Sequence, residues 1–167
     1  MQNQDILIKT QTRIFSYRVA GLLIQDGRVL LQRAGDDPAY AIPGGHVAFG
    51  ETSEQALIRE FREELNADIL PIRLLWIGEN FFPWGEKDCQ QICLYYLAGL
   101  RDETSLPRDG IFYAQDEQER MKTELEFSWI ELSRLDQIEL YPLPAREKLR
   151  RLSAQIEHFV FVEKPAG

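Results

Sequence analysis

Apolar residues along this chain fall into short runs separated by turn-forming residues, and their spacing changes from the two-residue period of strands to the 3.6-residue period of a helix. Residues 13–24, RIFSYRVAGLLI, lead through Asp26-Gly27 into RVLLQR at 28–33, a pattern that predicts a β-hairpin with a tight turn. The following residues, with Gly35 and Pro38, read as a loop; Tyr40, Ala41 and Ile42 form a short extended piece that Pro43-Gly44-Gly45 stops. Thr52-Ser53-Glu54-Gln55 match a capping box, which places a helix start there. Leu57, Ile58, Phe61 and Leu65 then share one helical arc that packs inward, and Glu60, Glu63 and Glu64 share the adjoining arc with Arg59 beside them. Asn66 ends the helix, since Asn tolerates the left-handed conformation of a C-terminal cap.

Downstream, residues 69–82 and 89–100 have strand composition, with PWGEKD connecting them. Residues 101–122 are polar and turn-rich, a long connection suited to lining a site. ELEFSWIEL at 124–132 reads as a last strand, after which Pro142 and Pro144 introduce a helix over 145–159 whose apolar face is Leu149, Leu152 and Ile156. The order strands, helix, strands, helix predicts an α/β protein of the α+β type: a mixed β-sheet sandwiched between helices, α/β/α. With no repeat, low-complexity run or linker, residues 1–167 are expected to form one domain.

Composition narrows the chemistry. Hydrophobic residues make up 44% of the 167, with nine Phe, six Tyr and three Trp, enough to fill a core. No apolar run of about 18 residues occurs, and the first residues lack the basic-then-apolar order of a signal peptide, so a cytoplasmic protein with no membrane contact is expected. Cys89 and Cys93, four apart in a strand, would be separated by roughly 13 Å, beyond disulfide reach. The only histidines are His46 and His158, and C-x-x-C and H-E-x-x-H are absent, so a metal would have to be held by oxygen. With 27 acidic against 19 basic residues and a formal charge of −8, nucleic acid is not an expected partner. Carboxylates repel phosphates unless cations lie between them, so a glutamate cluster serving a phosphorylated ligand implies a metal.

Glu60 has Glu63 and Glu64 at i+3 and i+4, a destabilising arrangement that Arg59 and Arg62 offset only in part. A solvated acidic helix face would account for an isolated E-x-x-E-E. The wider spacing changes that reading. From Gly45 to Glu51, to Arg59-Glu60-Phe61 and to Glu63-Glu64, the chain resembles the Nudix hydrolase (MutT-like) signature G-x5-E-x7-R-E-U-x-E-E-x-G-U, where U is a bulky apolar residue. It departs at Asn66, in place of the last glycine, and at Ala67, a small final apolar residue.

The resemblance implies the Nudix fold and a Mg²⁺- or Mn²⁺-dependent pyrophosphohydrolase acting on a small-molecule nucleoside diphosphate derivative: ADP-ribose, a dinucleoside polyphosphate, a nucleotide sugar or a nucleoside triphosphate. Carried over by position, Glu60, Glu63 and Glu64 would ligate metal together with the Gly45 carbonyl, Arg59 would orient the carboxylates, and Glu51 would brace them from behind. Gly44 and Gly45 would let the backbone approach the substrate closely. The general base would be Glu64 or a loop glutamate, with Glu124 ahead of Glu117, Glu119 and Glu126. Phe81, Phe82, Trp84 and Tyr113 are aromatics able to stack on a base, Phe82 and Trp84 foremost. Pro83, 16 residues after Ala67, resembles the ADP-ribose-cleaving branch of the family. His46, beside Gly45, could touch a phosphate. The alternative is a Nudix-fold module that binds a nucleotide without turnover. Prenyl-diphosphate isomerase chemistry would need a cysteine near the glycine loop, where there is none. A homodimer is compatible with this reading, and oligomeric state is not legible in the sequence.

Overall fold

The computed structural model describes residues 4–114 and 124–164. The central strand is β2 (Arg13–Gln25), which carries partners along both edges. On one edge it runs parallel to β7 (Lys87–Leu100) from Arg13 to Leu23. On the other it meets three partners in succession, all antiparallel: β1 (Leu7–Lys9), β5 (Gly44–His46), and β3 (Arg28–Ala34) across the predicted turn. Asp26 and Gly27 both take positive φ there, 50° and 72°, as a two-residue hairpin turn requires.

The sheet continues through β6 (Ile69–Trp84) and β11 (Glu157–Val162) on the β7 side, and through β4 (Ala39–Ala41) and β10 (Glu139–Tyr141) on the β3 side. β8 (Phe112–Tyr113) and β9 (Leu125–Glu131) extend it from β3. β2–β7, β4–β10 and β6–β11 are parallel pairs and the rest antiparallel, so the sheet is mixed.

Alternation along β2 sends Val19 and Leu23 to one face and Ala20 and Leu22 to the other. The first face packs against Ala56, Leu57, Phe61 and Leu65 of helix α1 (Ser53–Leu65). The second packs against Ala145 and Leu149 of helix α2 (Pro144–Arg150) with Trp76, Tyr95 and Phe159. A mixed sheet with a helix on each face is the architecture that the order of elements predicts. Cys89 and Cys93 are buried free thiols.

Four expectations are corrected. Gly44 and Gly45 lie in β5 rather than a loop: β5 pairs antiparallel with β2, and a Cβ on Gly44 would stand 1.9 Å from the Val19 carbonyl oxygen, so only glycine fits. The β6–β7 connection shrinks to Gly85-Glu86, because Pro83 and Trp84 still pair with Asp88 and Lys87. β9 is not the last strand; β10 and β11 follow, with a 3₁₀ turn at Leu132–Gln137 between β9 and β10. The second helix stops at Arg150 instead of reaching residue 159. Residues 157–162, EHFVFV, obey a two-residue period, with Phe159 and Phe161 buried and Val160 and Val162 exposed; pairing to β6 overrides the helical spacing, and Ile156 is left exposed.

Candidate active site

The site is built where α1 crosses β5. Both halves of the capping box are present: the Gln55 N–H donates to Thr52 Oγ1 at 3.2 Å and the Thr52 N–H to Gln55 Oε1 at 2.9 Å. At the other end Asn66 is left-handed at φ 50°, and its N–H and that of Ala67 donate to the Arg62 and Phe61 carbonyls at 3.0 and 3.3 Å. Asn therefore fills the place a C-cap glycine would take, and Ala67 is fully buried in the core on the α1 face.

These caps fix the helix phase, and the phase puts Arg59 at the centre of the carboxylates. Its Nε and Nη2 grip Glu51 at 3.1 and 2.6 Å, Nη2 also donates to the His46 carbonyl at 3.1 Å, and Nη1 donates to Glu60 at 2.9 Å and Glu63 at 3.3 Å. All five guanidinium N–H groups are thereby engaged. The sequence reading set Arg59 and Arg62 off the carboxylate arc as partial compensation. In the structure Arg59 is the hub of Glu51, Glu60 and Glu63, an arrangement compatible with the orienting role that the resemblance implies, while Arg62 pairs with Asp68.

Glu51 takes a further N–H, from Ala48 at 2.8 Å, and the Arg59 guanidinium holds its carboxyl below the ordinary range. Glu60 behaves oppositely. Burial, reinforced by the nearby Glu63 charge and only partly countered by Arg59, pushes its carboxyl up to about 7. Its carboxylate fills the space in front of Gly45: a Cβ there would lie 2.1 Å from Glu60 Cδ. Gly45 is thus specified by the close approach of the strand backbone to a buried carboxylate. Glu63 is half-exposed and Glu64 is partly buried on the next turn.

Hard oxygen donors set against a glycine backbone, including a carboxyl with a displaced pKa, suit Mg²⁺ or Mn²⁺ in kind. In arrangement, no group of three His, Cys, Asp or Glu side chains among the described residues converges to hold an ion, and Arg59 pairs with both Glu60 and Glu63.

The tip of β6 reaches this loop. Trp84 stacks on His46 with ring centroids 6.1 Å apart and planes 7° from parallel. Burial and the nearby Arg18 charge lower the His46 imidazole, keeping it neutral. Phe82 lines a cavity of about 520 Å³ on the α2 face of the sheet. Phe81 lines one of about 510 Å³ with Ile8, Phe15 and Val162, to which Phe82 also contributes. Tyr113 is exposed against Pro107 and Leu65, in a different region. Among the base candidates, Glu124 is exposed at the entry to β9, Glu126 is paired with Arg33 at 2.9 Å, and Glu117 and Glu119 lie outside the described residues. Sequence reading missed Arg18, Asn80 and Gln91, which line the 520 Å³ cavity. Their signal was a polar residue inside an apolar strand run, where each side chain must find polar company.

An α+β chain with a mixed sheet and a loop–helix unit in which one arginine gathers three glutamates against a glycine strand is thus defined by fold and site together. The chain belongs to the Nudix family: the NUDIX domain matches residues 16–153. An ADP-ribose pyrophosphatase of Methanocaldococcus jannaschii is 41% identical over 49 residues, a match spanning 28% of this chain and 29% of that protein. Similar folds include a MutT protein from Bacillus halodurans, with TM-score 0.60, 13% identity, and 90% of this chain and 91% of that one covered. An ADP-ribose pyrophosphatase from Streptococcus suis gives TM-score 0.57, 15% identity and coverage of 86% and 98%. A UDP-X diphosphatase gives 0.58, 16%, and 90% and 68%. These likenesses are of fold. No helix among the described residues is long and apolar enough to cross a membrane.

Proposed function

We propose that residues 1–167 form one Nudix domain that hydrolyses the diphosphate bond of a nucleoside diphosphate derivative with the help of Mg²⁺ or Mn²⁺. The observation that carries this reading is the Glu60 carboxylate lodged where a Cβ at Gly45 would be, with Arg59 drawing Glu51 and Glu63 to the same spot. Glu60, Glu63, Glu64 and the Gly45 carbonyl would hold the metal, which when bound would neutralise the substrate's phosphates and acidify a water. Before metal arrives, Arg59 keeps Glu60 and Glu63 from repelling each other. Glu51, fixed by two Arg59 donors and the Ala48 N–H, anchors that guanidinium from below. Glu64 is the preferred general base and Glu124 the loop alternative. Gly44 and Gly45, expected to admit the substrate, instead let β5 close on the Val19 backbone and the Glu60 carboxylate, and the Trp84–His46 stack stands beside them.

ADP-ribose is the first substrate to try, because the M. jannaschii relative is an ADP-ribose pyrophosphatase and Pro83 stands at the spacing described above. The rival is a nucleotide-binding module without turnover, and the intact Glu60, Glu63 and Glu64 set weighs against it. Both are tested by incubating the protein with Mg²⁺ and, separately, ADP-ribose, dinucleoside polyphosphates, nucleotide sugars and nucleoside triphosphates, and following phosphate-bearing products by chromatography. Metal-dependent cleavage of one class is expected. Tight binding without cleavage of any would replace the hydrolase with the binding module.

A further inference from the structure

Helix α1 covers only part of its face of the sheet. Val19 and Leu23 of β2 lie under it, whereas Phe15 on the same face joins neither core among the described residues. Nor do Ile77 and Phe81 of β6 or Ile92 of β7, all of them half-buried. The strand registers bring these residues together. Ile8 of β1, Phe15, Gln90 of β7, Phe81 and Val162 of β11 form one row across five strands, and Ile92, Glu79 and Val160 stand in the next. Registered partners point to the same side of a sheet, so both rows lie on the α1 face, beside the helix. Ile8, Val160 and Val162 are 58%, 54% and 59% exposed there. A cavity of about 510 Å³, lined by Ile8, Phe15, Phe81 and Val162, dishes one end of the strip.

Size and charge select the occupant. Five strands about 4.8 Å apart, carrying residue rows about 6.8 Å apart, make a face of roughly 24 by 20 Å. That is about 500 Å² before side-chain relief is counted, close to the roughly 800 Å² of accessible surface that each partner of a standard interface buries. Apolar surface of this extent marks an interaction site. The chain carries a formal charge of −8, so two copies repel except where their charges are matched. On this strip they are matched: Arg13 stands opposite Asp88 in register at one end, and Glu79 is hydrogen-bonded to His158 at 2.7 Å. A flat apolar sheet face with matched charges is complementary to itself about a twofold axis.

We propose that this strip is where a second copy of the chain docks, sheet against sheet about a twofold axis, burying the row from Ile8 to Val162 of each copy. The association requires neither metal nor nucleotide, and it stands whether or not the protein hydrolyses a diphosphate.

The test is sedimentation velocity of the whole chain in EDTA, from about 1 µM to about 100 µM. A species of twice 19.4 kDa is expected to grow with concentration. Ile8→Asp and Val160→Asp lie four strands apart and replace exposed side chains, so each variant should keep the wild-type melting transition of its monomer. Each places an unpaired carboxylate in the buried strip and should raise the dimer Kd at least about tenfold. Ile111→Asp, on an equally exposed residue outside the strip, should leave the Kd unchanged. A wild type that stays monomeric throughout would overturn the proposal. So would a dimer that survives either strip substitution, including loss with Val160→Asp alone, which would mean edge pairing through β11. Equal loss with Ile111→Asp would also overturn it, because added charge rather than the strip would then set the association.

Discussion

Gly45 and Glu60 carry the site between them, and each makes a prediction at the scale of one residue. A methyl group at position 45 must push aside a buried carboxylate, so Gly45→Ala should cost about 1–3 kcal/mol of stability by overpacking and depress turnover far more than unfolding explains; a variant with wild-type melting and wild-type kcat would contradict the contact. Glu60 has a folded pKa near 7 against an ordinary value of 4.5. Because the folded value is the higher, the associated stability is full below pH 4.5 and is lost as the pH rises toward 7, by at most about 3 kcal/mol. In EDTA the melting temperature should therefore fall between pH 5 and pH 8, and Glu60→Gln should flatten that slope. A flat profile in the wild type would show that Arg59 outweighs burial.

At the scale of elements, α1 was legible because every local signal agrees: Thr52 and Gln55 at one end, Asn66 at the other, and apolar residues at helical spacing between. Thr52→Ala removes one exposed cap bond and should lower stability by about 1 kcal/mol, measurable by denaturant titration, with the Arg59 hub intact and kcat little changed. A stability loss of zero would mean the helix start is held by packing alone. The C-terminal third was misread because Leu149, Leu152 and Ile156 fit a helix face while Glu157–Val162 equally fits alternation. Only the long-range parallel pairing to β6 decides, and pairing partners are not written locally. The same holds for β5. Gly44 and Gly45 look like a turn until the fold closes on them: the reason for Gly44 lies at Val19 in β2, and the reason for Gly45 at Glu60 in α1.

For the whole molecule, fold class and the identity of the loop–helix site were readable because the motif residues are close in sequence and held by one helix. The orienting role of Arg59 came only with the family resemblance, since spacing alone does not give the χ angles that gather Glu51, Glu60 and Glu63 onto one guanidinium. The α2-face cavity was not readable, its walls coming from strands as distant as β2 and β11. On the hydrolase reading, the carboxylates of α1 perform chemistry rather than decorate a solvated helix face. That claim is tested most directly by the kcat of Glu63→Gln and Glu64→Gln in saturating Mg²⁺ on the diphosphate substrate that the wild type cleaves. Each variant should keep the wild-type melting temperature within a few degrees and lose on the order of a hundredfold or more in kcat; wild-type kcat in both would contradict the claim.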